Sequence, residues 1–191
     1  MTLELVREPK SRLNREEWLM RALDILAEEH NAQLRIDDLV KRMGVTKGSF
    51  YWHFTDREDF QQQLLEYWVH EFNEKVVEEF NNAVGDQDAK SRLRYLLEYL
   101  VKHDCARYDM VVRSLAAQDS RVGKVLKKVD KFRLATLHSL LTEIGIPDKE
   151  ANVRSRIFVT FISLRAGLFI KMSKQDELAS IDAQIEFFTR P

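Results

Sequence analysis

Apolar residues recur at helical intervals along almost the whole chain. Near the start, Trp18, Ala22, Ile25 and Leu26 follow the i, i+4, i+7, i+8 spacing of a helix with one buried stripe. No segment alternates apolar and polar residues in the way that is typical of a β-strand. The pattern therefore predicts an all-α fold.

Turn residues and caps divide this pattern into separate helices. Two short helices are expected on either side of Gly44, and the breaks at 85–88 and 145–147 separate longer ones. The longer helices are expected at about residues 14–30, 57–84, 89–103, 107–118, 121–144, 149–173 and 175–189. The helix at 57–84 is long enough to leave one domain and enter the next. We expect an N-terminal three-helix helix-turn-helix domain over residues 1–58, with a mobile arm at about 1–12, and a larger helical C-terminal domain over residues 59–191.

The stretch around Gly44 has the spacing of a helix-turn-helix. Val40, Gly44 and Phe50 place an apolar residue, a turn glycine and a core residue where two crossed helices need them. Gly44 has no Cβ and can adopt the positive φ that ends the first helix. Thr46 is a good N-cap, so the second helix is expected to begin at Lys47 with a short polar turn that suits entry into a major groove.

The run GVTKGSFYWHFTDREDF at residues 44–60 resembles the signature of the TetR family of bacterial transcriptional regulators. The resemblance covers about residues 18–65 and implies a homodimeric repressor of double-stranded DNA, released from a palindromic operator by a small-molecule effector bound in the C-terminal domain. By motif position it implies a DNA-binding surface with three parts. Base edges and nearby phosphates would be contacted by Thr46, Lys47, Gly48 and Ser49. The DNA backbone would be contacted by Tyr51, Trp52 and His53, and a further phosphate by Arg57.

The sequence departs from the family pattern at three points. Arg35 stands where the family usually caps the second helix with Ser or Thr, and it is followed by Asp37 and Asp38. Two carboxylates close to DNA would lower affinity unless they cap the helix or accept from a cytosine amino group. Asn31 replaces a frequent glycine after the first helix, which asparagine tolerates because it adopts the left-handed conformation readily.

The charge of the chain gives no general attraction to DNA. The net charge is −1, and residues 1–58 carry ten basic and eleven acidic side chains. Attraction must be local, from Lys41, Arg42, Lys47, Arg57 and four basic residues within 7–15. The single Cys105 excludes an internal disulfide and fits a reducing cytosol, and the first residues contain no apolar run of signal-peptide length, so we expect a cytoplasmic protein.

The last two helical patterns are the expected dimer interface. Thr160, Ser163, Leu164 and Gly167 place small residues on neighbouring turns and allow another helix to approach closely. Two helices from each subunit would form a four-helix bundle. The alternative is that this stripe packs within its own subunit.

Aromatic residues and a polarisable methionine in the middle of the chain suggest a pocket for an apolar or aromatic small molecule. Arg113 and Arg165 are its polar candidates, although each could instead pair with an acidic neighbour. The alternative for the others is an ordinary core. The candidate pocket residues are Trp68, Phe72, Tyr95, Tyr99, His103, Tyr108, Met110, Arg113 and Arg165.

Other chemistry has little support in the sequence. His70 lies between Glu66 and Glu74, but no Glu-x-x-His pair accompanies them, and His103 with Cys105 lacks further metal ligands. We therefore expect no metal, no cofactor and no enzymatic activity. The first hypothesis is a dimeric DNA-binding repressor with a small-molecule effector. The alternative is a helical ligand-binding or protein-interaction module that keeps the helix-turn-helix only as a scaffold.

Overall fold

The computed structural model describes residues 13–28, 34–168, 170 and 172–190, apart from the side chain of Val84. The arm at about 1–12 and Asn31 lie outside the described residues. All regular structure in the described ranges is helical, which confirms the all-α prediction. The α-helices are α1 Arg15–Glu28, α2 Ile36–Met43, α3 Lys47–His53, α4 Arg57–Val69, α5 Lys75–Val84, α6 Ala89–Lys102, α7 Cys105–Ala116, α8 Ser120–Glu143, α9 Asp148–Leu164, α10 Lys174–Ala179 and α11 Ile181–Thr189.

The N-terminal helices begin where their caps predict. Asn14 and Glu17 form a reciprocal capping box at α1, in which each backbone N–H donates to the other side chain at 2.8 and 2.9 Å. At α4, Asp56 accepts from the backbone N–H of Asp59 at 2.8 Å. These bonds satisfy amide groups that the first turn of a helix leaves without a partner.

A cluster of four aromatic rings holds α1, α3 and α4 together. Trp18 contacts Phe50, Phe54 and Phe60 edge to face, with ring centroids 5.8 to 6.3 Å apart. Each ring is at most 1% exposed. Burial of one such side chain contributes about 1.5–3 kcal/mol, so this cluster fixes the position of α3 against the rest of the chain.

The predicted helix at 57–84 contains a wider turn in its middle. Helices α4 and α5 are joined without a break by a π-helical segment, His70–Glu74. Its apolar residues are spaced by four throughout, as in Trp68, Phe72 and Val76. Residues spaced by four drift around an α-helix, whereas a π turn holds more residues and returns them closer to one face. Trp68 and Val76 are accordingly both buried.

The end of the chain is more interrupted than its apolar pattern predicts. The helix expected at 149–173 ends as α9 at Leu164, followed by a 3-10 turn, Arg165–Gly167, because glycine disfavours continuation. The helix expected at 175–189 is two helices, α10 and α11. Ser180 separates them, and its hydroxyl donates to the carbonyl of Glu177 at 2.8 Å.

Two large hydrophobic cores fill the described structure. The first extends from the helix-turn-helix into α7 and the first half of α8, so that Tyr108 and Val112 share a core with Trp18. The second lies among α5, α6, α8, α9 and α11. Helix α8 runs through both cores and connects them.

Candidate nucleic-acid interface and ligand cavity

The turn between α2 and α3 has the conformation that its sequence predicts. Gly44 adopts φ 66° and ψ 33°, in the left-handed region. Its N–H donates to Lys41 O at 3.2 Å, and Val45 N–H donates to Val40 O at 3.0 Å. This pair of bonds is a Schellman motif, which ends α2 and turns the chain sharply into α3. Thr46 then caps α3 by accepting from the backbone N–H of Ser49 at 3.2 Å.

One face of α3 is open to solvent. Lys47, Gly48, Tyr51 and Trp52 are exposed and lie on adjacent turns, with Tyr51 59% and Trp52 67% exposed. Large rings exposed to this extent are unusual on a small helix and are suited to contact with a partner. This face presents an ammonium, a phenol hydroxyl and an indole N–H, all of which can donate to phosphate or base edges.

Ser49 and His53 lie on the inner side of α3 instead. The indole Nε1 of Trp18 donates to Ser49 Oγ at 3.3 Å. His53 Nε2 lies 2.9 Å from the carbonyl of Leu13, and because a carbonyl only accepts, Nε2 carries the hydrogen. In this structure both side chains tie α3 to the start of the chain, whereas their motif positions had placed them against DNA.

The ammonium of Lys47 is paired within the chain. Lys47 Nζ lies 2.8 Å from Asp37 Oδ1, and both side chains are largely exposed. The hydrogen bond to Asp37 raises the pKa of Lys47. Asp37 therefore lies at the edge of the exposed face of α3, where it cancels much of the positive charge that the face would otherwise offer.

Arg57 also has a partner at the N-terminal end of α4. Its Nε donates to the carbonyl of Leu34 at 2.9 Å, which fixes the segment before α2. Arg57 also lines a surface depression together with Asp37, Asp38 and Gln118. Arg35, as its sequence predicts, provides no side-chain cap for α2. Arg57 thus has a positioning role in this structure beside its predicted contact with phosphate.

A cavity of about 520 Å³ lies among the helices that follow the π turn. This volume is within the range of sites for drug-sized molecules. Its wall is mostly apolar and comes from the π turn, α5, α6, α7, α8 and α9. Representative apolar residues are Phe72, Val76, Leu96, Phe158 and Ile162.

A buried polar cluster occupies one side of this cavity. Arg133 of α8 pairs with Asp109 of α7, which is 2% exposed, and its Nη2 donates to Asp109 Oδ1 at 3.0 Å. Arg133 also donates to Asn73 Oδ1 at 3.1 Å from Nε and 2.6 Å from Nη2, and to Ser163 Oγ at 3.3 Å. Burial lowers the pKa of Arg133, but Asp109 outweighs it and the net change is upward. The cluster joins the π turn to α7, α8 and α9.

Cys105 lies on the same cavity wall as a neutral thiol. Burial raises the pKa of Cys105 to about 12, and the negative charge of Asp109 adds to this effect. The thiol is therefore protonated at any physiological pH, and thiolate reactivity is suppressed.

The predicted pocket residues do not form one site. Of the nine, all within the described ranges, Phe72 lines the cavity and the other eight do not. Trp68 is buried with the Arg133 guanidinium 5.7 Å from its ring, and Tyr108 donates to Asp24 at 2.9 Å. Tyr95 and Tyr99 lie side by side on α6, Tyr99 stacks on His103, and Met110 lies beside Gly167.

The two predicted arginines follow the alternative that the sequence left open. Arg113 pairs with Asp130 at 2.7 Å, and Arg165 pairs with Glu177 at 2.9 Å. The arginines that do line the cavity are Arg92 and Arg133, both of which the sequence analysis missed. The available signal for Arg133 was Asp109, an acidic residue on the otherwise apolar stripe of α7, which required a buried basic partner.

The outer face of α9 carries exposed apolar side chains. Val153, Ile157, Phe161 and Leu164 are 38 to 56% exposed and lie at successive turns. Thr160 is exposed among them, whereas Ser163 is buried against Arg133 and Gly167 lies in the 3-10 turn. The face that could meet a second copy is therefore larger and more apolar than the predicted stripe of small residues.

The described residues contain neither a cluster of metal ligands nor a membrane-spanning helix. No group of three or more His, Cys, Asp or Glu side chains with metal-ligand geometry occurs in the described part of the chain. His70 instead bonds Glu74 at 3.2 Å. No helix among the described residues is long and apolar enough to cross a membrane.

Residues 19–64 match the family described as bacterial regulatory proteins of the tetR family. Curated protein sequences give no match. The fold is similar to a transcriptional regulator from Rhodococcus sp. Rha1, at 21% identity and a TM-score of 0.66, over 92% of this chain and 96% of that one. It is also similar to a transcriptional regulator from Aquifex aeolicus VF5, described as TerR/AcrR family, at 16% identity and a TM-score of 0.63, over 90% and 98% of the two chains.

Proposed function

We propose that this chain, whose residues 19–64 match the tetR family and whose fold resembles that of transcriptional regulators, is a homodimeric repressor that a small molecule releases from a palindromic operator. The observation that carries the proposal is the open face of α3, held in place by the Gly44 turn, the Thr46 cap and the aromatic cluster. The proposal places the protein in the cytoplasm with its DNA and assigns it no catalytic activity.

Different residues of α3 would make different contacts. Lys47 and Gly48 lie in the first turn, which is the part of a recognition helix that reaches base edges. Gly48 has room around it, so its small size leaves space for the duplex rather than for the protein. Tyr51 and Trp52 lie one turn later and would donate to phosphates.

A second copy would bind through α9 and α11. The two helices pack together through Phe158 and Phe188, and each has exposed apolar side chains, Phe187 on α11 and the face described above on α9. Two such pairs would form a four-helix interface around a twofold axis. Dimerisation would place two α3 helices about 34 Å apart, one turn of DNA, at the two half-sites.

The cavity would hold the effector. Phe72 and Asn73 of the π turn line the cavity, and the same continuous helix begins as α4 beside the helix-turn-helix. An occupant could thereby bias the angle of α4 and the separation of the two α3 helices. A roughly 100-fold preference of the effector for the widely separated state corresponds to about 2.7 kcal/mol, which is within the usual range of allosteric coupling.

Binding to DNA flanking the gene, measured by fluorescence anisotropy at several salt concentrations, tests the interface. Tyr51→Phe should weaken binding to every sequence, because it removes a phosphate donor.

Lys47→Ala should relax base preference at one position by about 1–3 kcal/mol. Lys149→Ala on α9 removes a similar charge from another surface and should leave binding unchanged. Absence of salt-sensitive binding to any palindrome would favour the scaffold alternative.

Sedimentation of Ile157→Asp tests the dimer. A carboxylate at the centre of the apolar face should shift the protein from dimer to monomer at micromolar concentration, because the charge would be buried without a partner. Lys128→Asp on α8 is the control for an added acid and should remain dimeric. A wild-type monomer at all concentrations would contradict the proposed interface.

A further inference from the structure

The charge of the cavity wall restricts what the cavity can bind, and the inference drawn from it rests on the proposed function of the cavity as an effector site. Among the described residues, three charged side chains line the cavity: Arg92, Asp109 and Arg133. Arg92 is paired with Glu143, to which its Nη1 donates at 2.9 and 3.1 Å. Arg133 is paired with Asp109. The positive charges of the wall are thus neutralised by the chain itself.

Arg133 has no N–H group left for a ligand. A guanidinium has five N–H donors. Nε and Nη2 donate to Asn73 Oδ1, Nη1 and Nη2 donate to the two oxygens of Asp109, and Nη1 also donates to Ser163. These five bonds account for all five donors.

At the Arg133–Asp109 pair, an anionic ligand would therefore leave a buried charge without a partner in either of two arrangements. If its carboxylate displaced Asp109 from Arg133, the Asp109 carboxyl group would be left at 2% exposure without its counter-charge. If it left the pair intact, its own charge would be buried against apolar side chains such as Val76 and Phe158. A cationic ligand meets the corresponding difficulty, because the only buried carboxylate of the described wall is already bound.

We propose that the cavity selects an uncharged, largely apolar molecule and discriminates against carboxylates and ammonium ions of the same shape. Most of the wall is aliphatic or aromatic, and the thiol of Cys105 is neutral. The Ser163 hydroxyl accepts from Arg133 and has its own hydrogen to donate to an uncharged oxygen of the ligand.

A series of ligands with one chain length and three head groups tests the proposal. Decanol, decanoate and decyltrimethylammonium are titrated into the full-length protein at pH 8 by isothermal calorimetry, with thermal shift as a second readout. Decanol should bind at least about tenfold more tightly than either ion, a difference of about 1.4 kcal/mol. Decanoate or the ammonium ion binding as tightly as decanol would overturn the proposal.

A variant that removes only the compensating charge makes the test sharper. Asp109→Asn is close in shape but leaves Arg133 without its counter-charge, so decanoate should bind about tenfold more tightly than to the wild type. Asp130→Asn is the matched control, because it removes a carboxylate from the Arg113 pair, which does not line the cavity. The control should keep the wild-type order of ligands. A gain for decanoate in both variants, or in neither, would contradict the role of Asp109.

Operator binding is measured separately on the same protein sample. If none of the three probes binds, the inference is overturned, while operator binding by the same sample preserves the regulator function. If decanol binds and weakens operator binding but decanoate acts equally, the effector site stands and its selectivity for uncharged molecules fails. If Asp109→Asn does not fold, as judged by circular dichroism, the wild-type ligand series still decides the question.

Discussion

Two ion pairs with similar chemistry occur at the two proposed sites, in opposite surroundings. Lys47 and Asp37 form a single contact of 2.8 Å at the surface, with side chains 62% and 71% exposed. Arg133 and Asp109 form a two-bond contact in the interior, with side chains 20% and 3% exposed. Water replaces a lost partner at the surface but not in the interior.

Because of this difference, the Lys47–Asp37 pair can break, whereas the Arg133–Asp109 pair cannot. The Lys47 pair can break at little cost when DNA offers phosphates or base edges, so it adjusts the affinity of the interface. The Arg133 pair is further held by Asn73 and Ser163, and it sets the charge on its side of the cavity. The predictions below test this contrast.

The largest effect is expected from removal of the buried carboxylate. Asp109→Ala leaves the Arg133 guanidinium buried without a counter-charge, which should reduce the free energy of unfolding by about 3–5 kcal/mol. Urea denaturation followed by circular dichroism measures the loss. The double variant Asp109→Leu with Arg133→Met is the control, since replacement of both partners by apolar residues should recover most of it. A cost of less than about 1 kcal/mol for the single variant would show that water reaches the pair.

An intermediate effect is expected at alkaline pH. Because the pKa of Cys105 is raised from its ordinary 9.0 to about 12, the unfolded chain loses this proton at lower pH than the folded one. The resulting stabilisation is complete below pH 9 and is lost as the pH rises from 9 toward 12, so that the loss at pH 10 is about 1.4 kcal/mol. Cys105→Ala should flatten this decline.

The remaining alkaline dependence belongs to tyrosines. Burial raises the pKa of Tyr99 to about 12 and raises that of Tyr108 as well, so the variant should still lose stability above pH 10. Denaturation midpoints measured at pH 8, 9, 10 and 11 compare the two proteins. Parallel curves for wild type and Cys105→Ala would mean that the thiol does not contribute.

The smallest effect on stability is expected from the exposed pair. Asp37→Asn should leave the thermal midpoint unchanged within error, yet it releases the charge of Lys47. Affinity for all DNA sequences should rise about two- to fivefold at low salt, and the slope of log K against log salt should steepen by about one. Asp38→Asn, the next residue of α2, is the matched control and should have less effect, because Lys47 bonds to Asp37. An equal gain from both variants would point to general charge rather than to this pair.

Local sequence rules predicted the local features of the fold well. Gly44 and Thr46 each act within five residues of their own position, so a single stretch of sequence contains all the information. The resemblance to the TetR family is confirmed on the same part of the chain.

Longer-range features could not be predicted in the same way. The Arg133 cluster joins residues 24, 30 and 60 positions apart, and no local spacing indicates such a meeting. The inward position of His53 could have been predicted from the sequence, because His53 lies three residues after the buried Phe50 and thus on the same side of α3. Family position alone did not distinguish the two sides of this helix.

The π turn has a consequence for rotation as well as for packing. Each residue of an α-helix turns the chain by about 100°. The five residues His70–Glu74 hold one residue more than an α-helical turn would, so the turn sets the rotational phase of α4 against α5. If the π turn became α-helical, α4 would rotate about its axis relative to α5. A change at Asn73 that had this effect would reach the helix-turn-helix as a rotation.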